Sequence, residues 1–121
     1  MRVLVIPALV MLLGAGSASA ADTYAAIALN QKSGATGYGY RFTSRSGAEE
    51  RALQQCGSGC IVVAWVRNQC LSLATGRSYG YGYALSTNDA TAMQRAVAEC
   101  GKRTSNCEVN TTICSSRLPG G

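Results

Sequence analysis

The chain has 121 residues, six cysteines, no histidine and a formal net charge of +5. That length suits one domain rather than two, and the lack of histidine removes the commonest general base and a principal zinc ligand. The cations are scattered singly except for Lys102-Arg103, so the chain encodes no dense basic patch of the kind that grips nucleic acid or anionic lipid.

In chain order, residues 1–20 read as a secretory signal. Arg2 is the positive n-region. Val3 to Leu13 form an apolar run too short to span a membrane, and Ala18-Ser19-Ala20 is a small-residue cleavage site. The mature chain is then expected to begin at Ala21, leaving ten cationic residues against six acidic ones. No later apolar stretch approaches the roughly twenty residues of a membrane helix. The expected location is periplasmic or extracellular, without stable membrane insertion.

An internal repeat organises residues 21–114, which are expected to form a single domain. At an offset of 44 positions, Ala48 falls on Ala92, Arg51 on Arg95, Ala52 on Ala96, Cys56 on Cys100, Gly57 on Gly101 and Cys70 on Cys114. One residue of slippage brings Gly37-Tyr38-Gly39-Tyr40 onto Gly80-Tyr81-Gly82-Tyr83. Two copies of one unit, about 23–70 and 71–114, are too few for a solenoid and are expected to share a core.

Each unit reads strand, strand, helix, strand. In the first, Tyr24–Asn30 is apolar and strand-prone, and Gln31–Gly37 is a turn. Tyr38–Phe42 alternates with the period of two of a half-buried strand. A helix follows, capped by Ser44 or by Ser46 in a capping box with Glu49, carrying Ala48, Ala52, Leu53 and Cys56 on one stripe and stopping at Gly57. Cys60–Arg67 is the most β-prone run and is expected to be the central strand. The second unit repeats the order with strands at Leu71–Thr75, Ser78–Ala84 and Cys107–Ile113 and a helix near Asn88–Cys100. Residues 115–121 read as a loose tail. The fold class is therefore α+β: a mainly antiparallel sheet of about six strands with two helices.

Six cysteines allow fifteen pairings, and the repeat narrows them. Cys56–Cys60 and Cys100–Cys107 bracket equivalent helix-to-strand turns, leaving Cys70 and Cys114 to pair across the two units. Metal binding and redox catalysis are poorer readings. The compartment is oxidising, and the closest cysteine pair sits at a helix C-terminus, where the dipole disfavours a thiolate.

Tyr38, Tyr40 and Phe42 are expected on one face of their strand, and Tyr79, Tyr81 and Tyr83 on the matching face in the second unit, opposite glycines. Packing is the ordinary explanation. The functional one is a recognition surface, since tyrosine offers an apolar ring and a polar edge. Trp65 is expected in the core, and Arg51 and Arg95 on solvated helix surface.

No catalytic set emerges. Triad chemistry lacks its histidine. Glu49 and Glu50 point about 100° apart on a helix and read as first-turn acids complementing its dipole, not as a facing carboxylate pair. No cofactor or metal is implied. The expected function is a non-catalytic module that binds another protein, as an inhibitor, immunity partner or secreted effector. The alternative is an envelope-associated module recognising glycan or acidic polymer through the tyrosine strips.

Tyr24-Ala-Ala-Ile-Ala, the Gly-Tyr-Gly-Tyr strand, the Ser44-to-Cys56 helix and the run from Cys60 to Cys70 together resemble domain of unknown function 4189. So does the second Tyr-Gly-Tyr strand with its alanine-rich helix ending at Cys100. The resemblance covers Thr23 to Cys114. It implies an exported, compact, disulfide-bonded bacterial domain, and in some mycobacterial relatives release and action on host cells. It implies no catalytic residues.

Overall fold

The structure is a computed structural model that describes residues 21–119; the signal segment expected over 1–20 lies outside them. Two strand–strand–helix–strand units follow one another. The first contains β1 (Tyr24–Leu29), β2 (Thr36–Phe42), α1 (Arg45–Cys56) and β3 (Ile61–Arg67). The second contains β4 (Cys70–Thr75), β5 (Tyr81–Ser86), α2 (Asp89–Gly101) and β6 (Glu108–Cys114). All pairings are antiparallel. The fold is α+β, as the sequence implies.

The six strands divide into two three-stranded sheets, ordered β2-β1-β3 and β5-β4-β6, rather than forming one sheet. The reason lies in what covers each face. Ala25, Ile27 and Leu29 of β1 point one way and pack with Val66, Leu71, Leu73 and Ile113, which come from both sheets. Ala26 and Ala28 point the other way, onto Ala48, Ala52 and Cys56 of α1. In the second unit Ala74 and Ala84 meet Ala96 and Cys100 of α2. The layers therefore run helix, sheet, sheet, helix, with large aliphatic side chains between the sheets and alanine beneath each helix.

The first strand of each unit is central, not the third. β1 and β4 are buried on both faces along almost their whole length, and a strand covered on both sides needs apolar residues at every position. β3 has higher β-propensity but an exposed or half-buried pattern except at Val66. Propensity measures fit to a pleated surface and does not set strand order.

Bare glycine brings helix and sheet into contact. A Cβ on Gly37 would overlap the carbonyl oxygen of Ala52 and the amide nitrogen of Cys56, and one on Gly82 would overlap the amide of Cys100. At the start of α1, the hydroxyl of Ser44 accepts from the N–H of Gly47 at 3.1 Å. The capping box at Ser46 does not form: Glu49 lies in the second turn, where its carboxylate accepts from Nε of Arg45 at 2.9 Å. Asn88 caps α2 through the N–H of Thr91 at 3.0 Å, and Gly57 ends α1 with φ +101°. Ser44→Ala is expected to cost about 1 kcal/mol, read as a drop in the urea midpoint at constant slope. Leu53, expected on the buried stripe, is 36% exposed.

The disulfides pair as the repeat implies: Cys56–Cys60, Cys70–Cys114 and Cys100–Cys107. Cys70 and Cys114 face each other directly on β4 and β6, so this bond lies within the second sheet instead of joining the two units as expected, and staples that sheet where the chain enters it from the first. Ser115, expected in a loose tail, is buried. Its N–H donates to the carbonyl of Gln69 at 2.9 Å, and its own carbonyl accepts from the N–H of Arg41 at 2.7 Å. Arg117 then reaches Asp89 at 3.5 Å. No helix among the described residues is long and apolar enough to cross a membrane.

Candidate functional site

The six aromatic residues singled out by the sequence do not form two matching strips. Tyr38 and Tyr40 do share a face, their ring centroids 6.1 Å apart, half-buried against the core between the sheets. Phe42 does not join them. Tyr24 pairs with Phe42 but Ala26 with Gly39, so Tyr40 and Arg41 together oppose Ala25 in a β-bulge, with Arg41 at φ +65°. The extra residue turns Phe42 onto the α1 face, against Gly47; a bulge reverses the alternation beyond it.

In the second unit, β5 begins only at Tyr81. Tyr79 lies before it, in a short 3-10 turn (Arg77–Tyr79) with φ +59°, and its ring covers the backbone of Gly34 in the first unit's β1–β2 turn. Gly34 itself has φ +82°, so both the conformation and the overlying ring require glycine there. Tyr81 packs against the core, with the guanidinium of Arg103 5.7 Å from its ring centre. Tyr83 stays exposed. Most of these rings are therefore packing residues.

Trp65 is the main departure from expectation. It faces the α1 side opposite Ala26, yet is 36% exposed, because β3 has no strand on its outer side. Arg45 lies over the indole, with Cζ 4.5 Å from the ring centre, and Tyr24 flanks it at 6.2 Å. Glu49 accepts from Nε of the same guanidinium in an exposed i,i+4 pair, an arrangement contributing about 0.3–0.5 kcal/mol beside a cation–π contact of about 0.5–1. The cation is thereby positioned, not neutralised by burial.

From Trp65 a groove of about 490 Å³ runs along β3, past Val63 and Ala64, to Tyr83 and Leu85 on the edge strand of the other sheet. Ile61, Trp65, Tyr83 and Leu85 are between 36% and 46% exposed. Scattered exposed apolar residues need no explanation, but Trp65 on β3 and Tyr83 and Leu85 on β5 line one groove. Arg67, on the same face as Trp65, is exposed and has no carboxylate partner among the described ion pairs.

The other unit shows what this edge looks like without those features. In the strand register Trp65, opposite Ala26, is matched by Thr112, opposite Ser72, and at the 44-residue offset of the helices Arg45 becomes Asp89 and Glu49 becomes Met93. Asp89 is engaged by Arg117, and β6 is largely polar: Glu108, Asn110, Thr111 and Thr112. The two copies keep the helix residues Ala48/Ala92, Ala52/Ala96 and Cys56/Cys100 and the glycines Gly37/Gly82 beneath them, but differ at this groove.

The other edge of the first sheet is partly closed. The outward N–H of Tyr38 donates to Oε1 of Gln55 at 2.7 Å, and Arg41 is bonded to Ser115. Between β2 and α1 lies a second groove of about 350 Å³ that includes Arg41 and Arg51. Elsewhere, the carboxyl of Glu99 is held below its ordinary value by the hydrogen bond and charge of Lys102. Among the described residues no group of three or more His, Cys, Asp or Glu side chains is placed to hold a metal ion.

A duplicated, disulfide-stapled α+β domain with one apolar sheet edge is the class these features define. The family described as Domain of unknown function (DUF4189) matches residues 24–114, and the chain belongs to that family. No curated protein and no solved structure matches it.

Proposed function

We propose that this chain is an exported, non-catalytic binding module that takes an extended segment of another protein along the free edge of β3. The observation that carries the reading is the unpaired outer edge of β3, apolar from Ile61 to Val66, with Trp65 exposed at its side and Tyr83 and Leu85 forming the opposite wall. An edge strand with unpaired backbone groups recruits another strand, main-chain hydrogen bonds supplying affinity and alternate side chains specificity. Arg67, which has no carboxylate partner among the described ion pairs, stands on the Trp65 face, so the complementary segment is apolar at alternate positions and carries a carboxylate at the Trp65 end. Export is supported by three disulfides in a small domain, which belong to an oxidising compartment.

The test is selection of displayed peptides on the oxidised protein, followed by calorimetry and amide chemical-shift mapping. Enriched peptides should alternate apolar residues, carry an Asp or Glu, and shift the amides of Ile61–Arg67. Trp65→Ala should weaken binding by about 2 kcal/mol, roughly thirtyfold, as expected for an aromatic anchor. N-methylation of alternate peptide amides should abolish it. Peptides that map elsewhere, or bind Trp65→Ala unchanged, would overturn the proposal.

A further inference from the structure

One run on β6 belongs to neither groove. Of the chain's five asparagines, Asn110 alone has Ser or Thr two places on, in Glu108-Val109-Asn110-Thr111-Thr112. Asn-x-Ser/Thr, with x other than proline, is the acceptor pattern for N-linked glycan and belongs on the surface of an exported chain. Modification there requires export, as proposed above, but not binding at β3.

The strand register places this asparagine where the ladder does not need it. Val109 pairs with Ala74 and Thr111 with Leu73, so Asn110 is an extra residue with no partner on β4, in a β-bulge. The first unit has the same bulge: Val62 pairs with Ala28 and Ala64 with Ile27, leaving Val63 over. Register thus matches Ile61-Val62-Val63-Ala64-Trp65 with Glu108-Val109-Asn110-Thr111-Thr112. The apolar run of one unit is an acceptor pattern in the other. β6 is an edge strand, and Glu108, Val109 and Asn110 are exposed. Polar residues blunt a free edge, but that purpose does not call for a hydroxyl two places after an asparagine and a carboxylate two places before it.

The side chains suit transfer. Asn110 donates through Nδ2 to Oγ1 of Thr75 at 3.4 Å, and its Oδ1 accepts from Oγ1 of Thr111 at 2.6 Å. A substituted amide keeps one N–H, enough to retain the bond to Thr75. Glu108 belongs to none of the described ion pairs, so a cation on a transferring enzyme can grip it and set which asparagine enters. Thr112 is half-buried, its hydroxyl 2.9 Å from that of Ser72. The folded strand therefore hides part of the pattern. Because β6 follows every other strand in the chain, the pattern stays open on the emerging chain until β4 and β6 pair.

We infer that Asn110 is an acceptor for an N-linked oligosaccharide, added before β6 docks by an enzyme that reads Glu108 and Thr112. Nδ2 attacks the anomeric carbon of an isoprenoid-diphosphate-linked oligosaccharide. A C–N bond forms as the sugar–phosphate C–O bond breaks. The isoprenoid diphosphate leaves with the bonding pair, and the amide gives one proton to a base of that enzyme. The glycan shields the outer side of β6 and leaves β3, in the other sheet, free.

Mass spectrometry of the protein isolated from its native cells tests this. After reduction, alkylation and tryptic cleavage, the peptide 104–117 should carry a saccharide mass, located on Asn110 by electron-transfer fragmentation. Asn110→Gln and Thr112→Ala should each remove it, and Thr111→Ala, which keeps the pattern, should leave it. Glu108→Gln should lower occupancy about tenfold, as for loss of one hydrogen bond to a charged group. An unmodified peptide, sugar on Asn106 or on a threonine, or unchanged occupancy in Thr112→Ala or Glu108→Gln overturns the inference. An unmodified chain found outside the cytoplasm and beginning at Ala21 overturns glycosylation while upholding export; one found inside with residues 1–20 attached overturns both.

Discussion

Replacing Cys70 and Cys114 together by alanine is expected to lower unfolding free energy by about 4 kcal/mol. The bond closes a loop of 44 residues in sequence separation, for which the chain-entropy relation gives roughly that figure. The same relation gives about 2 kcal/mol for Cys56–Cys60 and about 2.5 for Cys100–Cys107, whose separations are 4 and 7. Both cysteines are almost fully buried, so alanine is the suitable replacement; serine would add the cost of burying a hydroxyl. Against a typical total of about 5–15 kcal/mol, this loss brings the domain near its threshold. Urea unfolding of the double variant, compared with Cys56→Ala/Cys60→Ala, checks it. A smaller loss from the long loop than from the short one would show that the staple between β4 and β6 does not govern stability.

Gly82→Ala is expected to cost about 3 kcal/mol or more, the upper range for overpacking a tight interior. The added methyl meets backbone, the amide of Cys100 and the carbonyl carbon of Glu99, rather than a side chain that could rotate away. Cys100 is bonded to Cys107, so α2 cannot lift at this end without moving β6. Gly101→Ala is the internal control. A Cβ there meets nothing within 4 Å, and replacing a helical glycine by alanine is neutral or stabilising by up to about 1 kcal/mol. Thermal unfolding of the two variants should give shifts of opposite sign or very different size. Similar small shifts in both would mean that helix and strand are not in the contact described.

The same contact shows why part of the fold is legible before any coordinates. Alternating Gly and Tyr in β2 and β5, with Ala48, Ala52, Ala92 and Ala96 on helix faces, fits close approach on one side of the strand. The repeated cysteine spacing then leaves one sensible pairing, and the structure has it. Ser44 and Asn88 start the helices because their oxygens satisfy amides left free in the first turn.

The candidate grooves were far less visible. Trp65 sits in a β-branched run that reads as interior, and no local signal marks β3 as an edge strand; that status follows from β1 taking the centre. Arg41 and Phe42 look like the continuation of an alternating strand. One extra residue opposite Ala25 reverses the faces, and a single insertion in register leaves no trace in the pattern of residue types. Tyr79 reads as strand, yet positive φ at Ser78 and Tyr79 breaks the chain before β5 begins.

Local chemistry in the chain thus settled the elements, their duplication, their caps and their cross-links, since each depends on residues close in sequence or repeated at a constant offset. Division into two sheets, the choice of central strand and the exposure of Trp65 beside Arg45 came from packing between distant segments. Periodicity tells which side chains share a face; it carries no information about which other face will cover them.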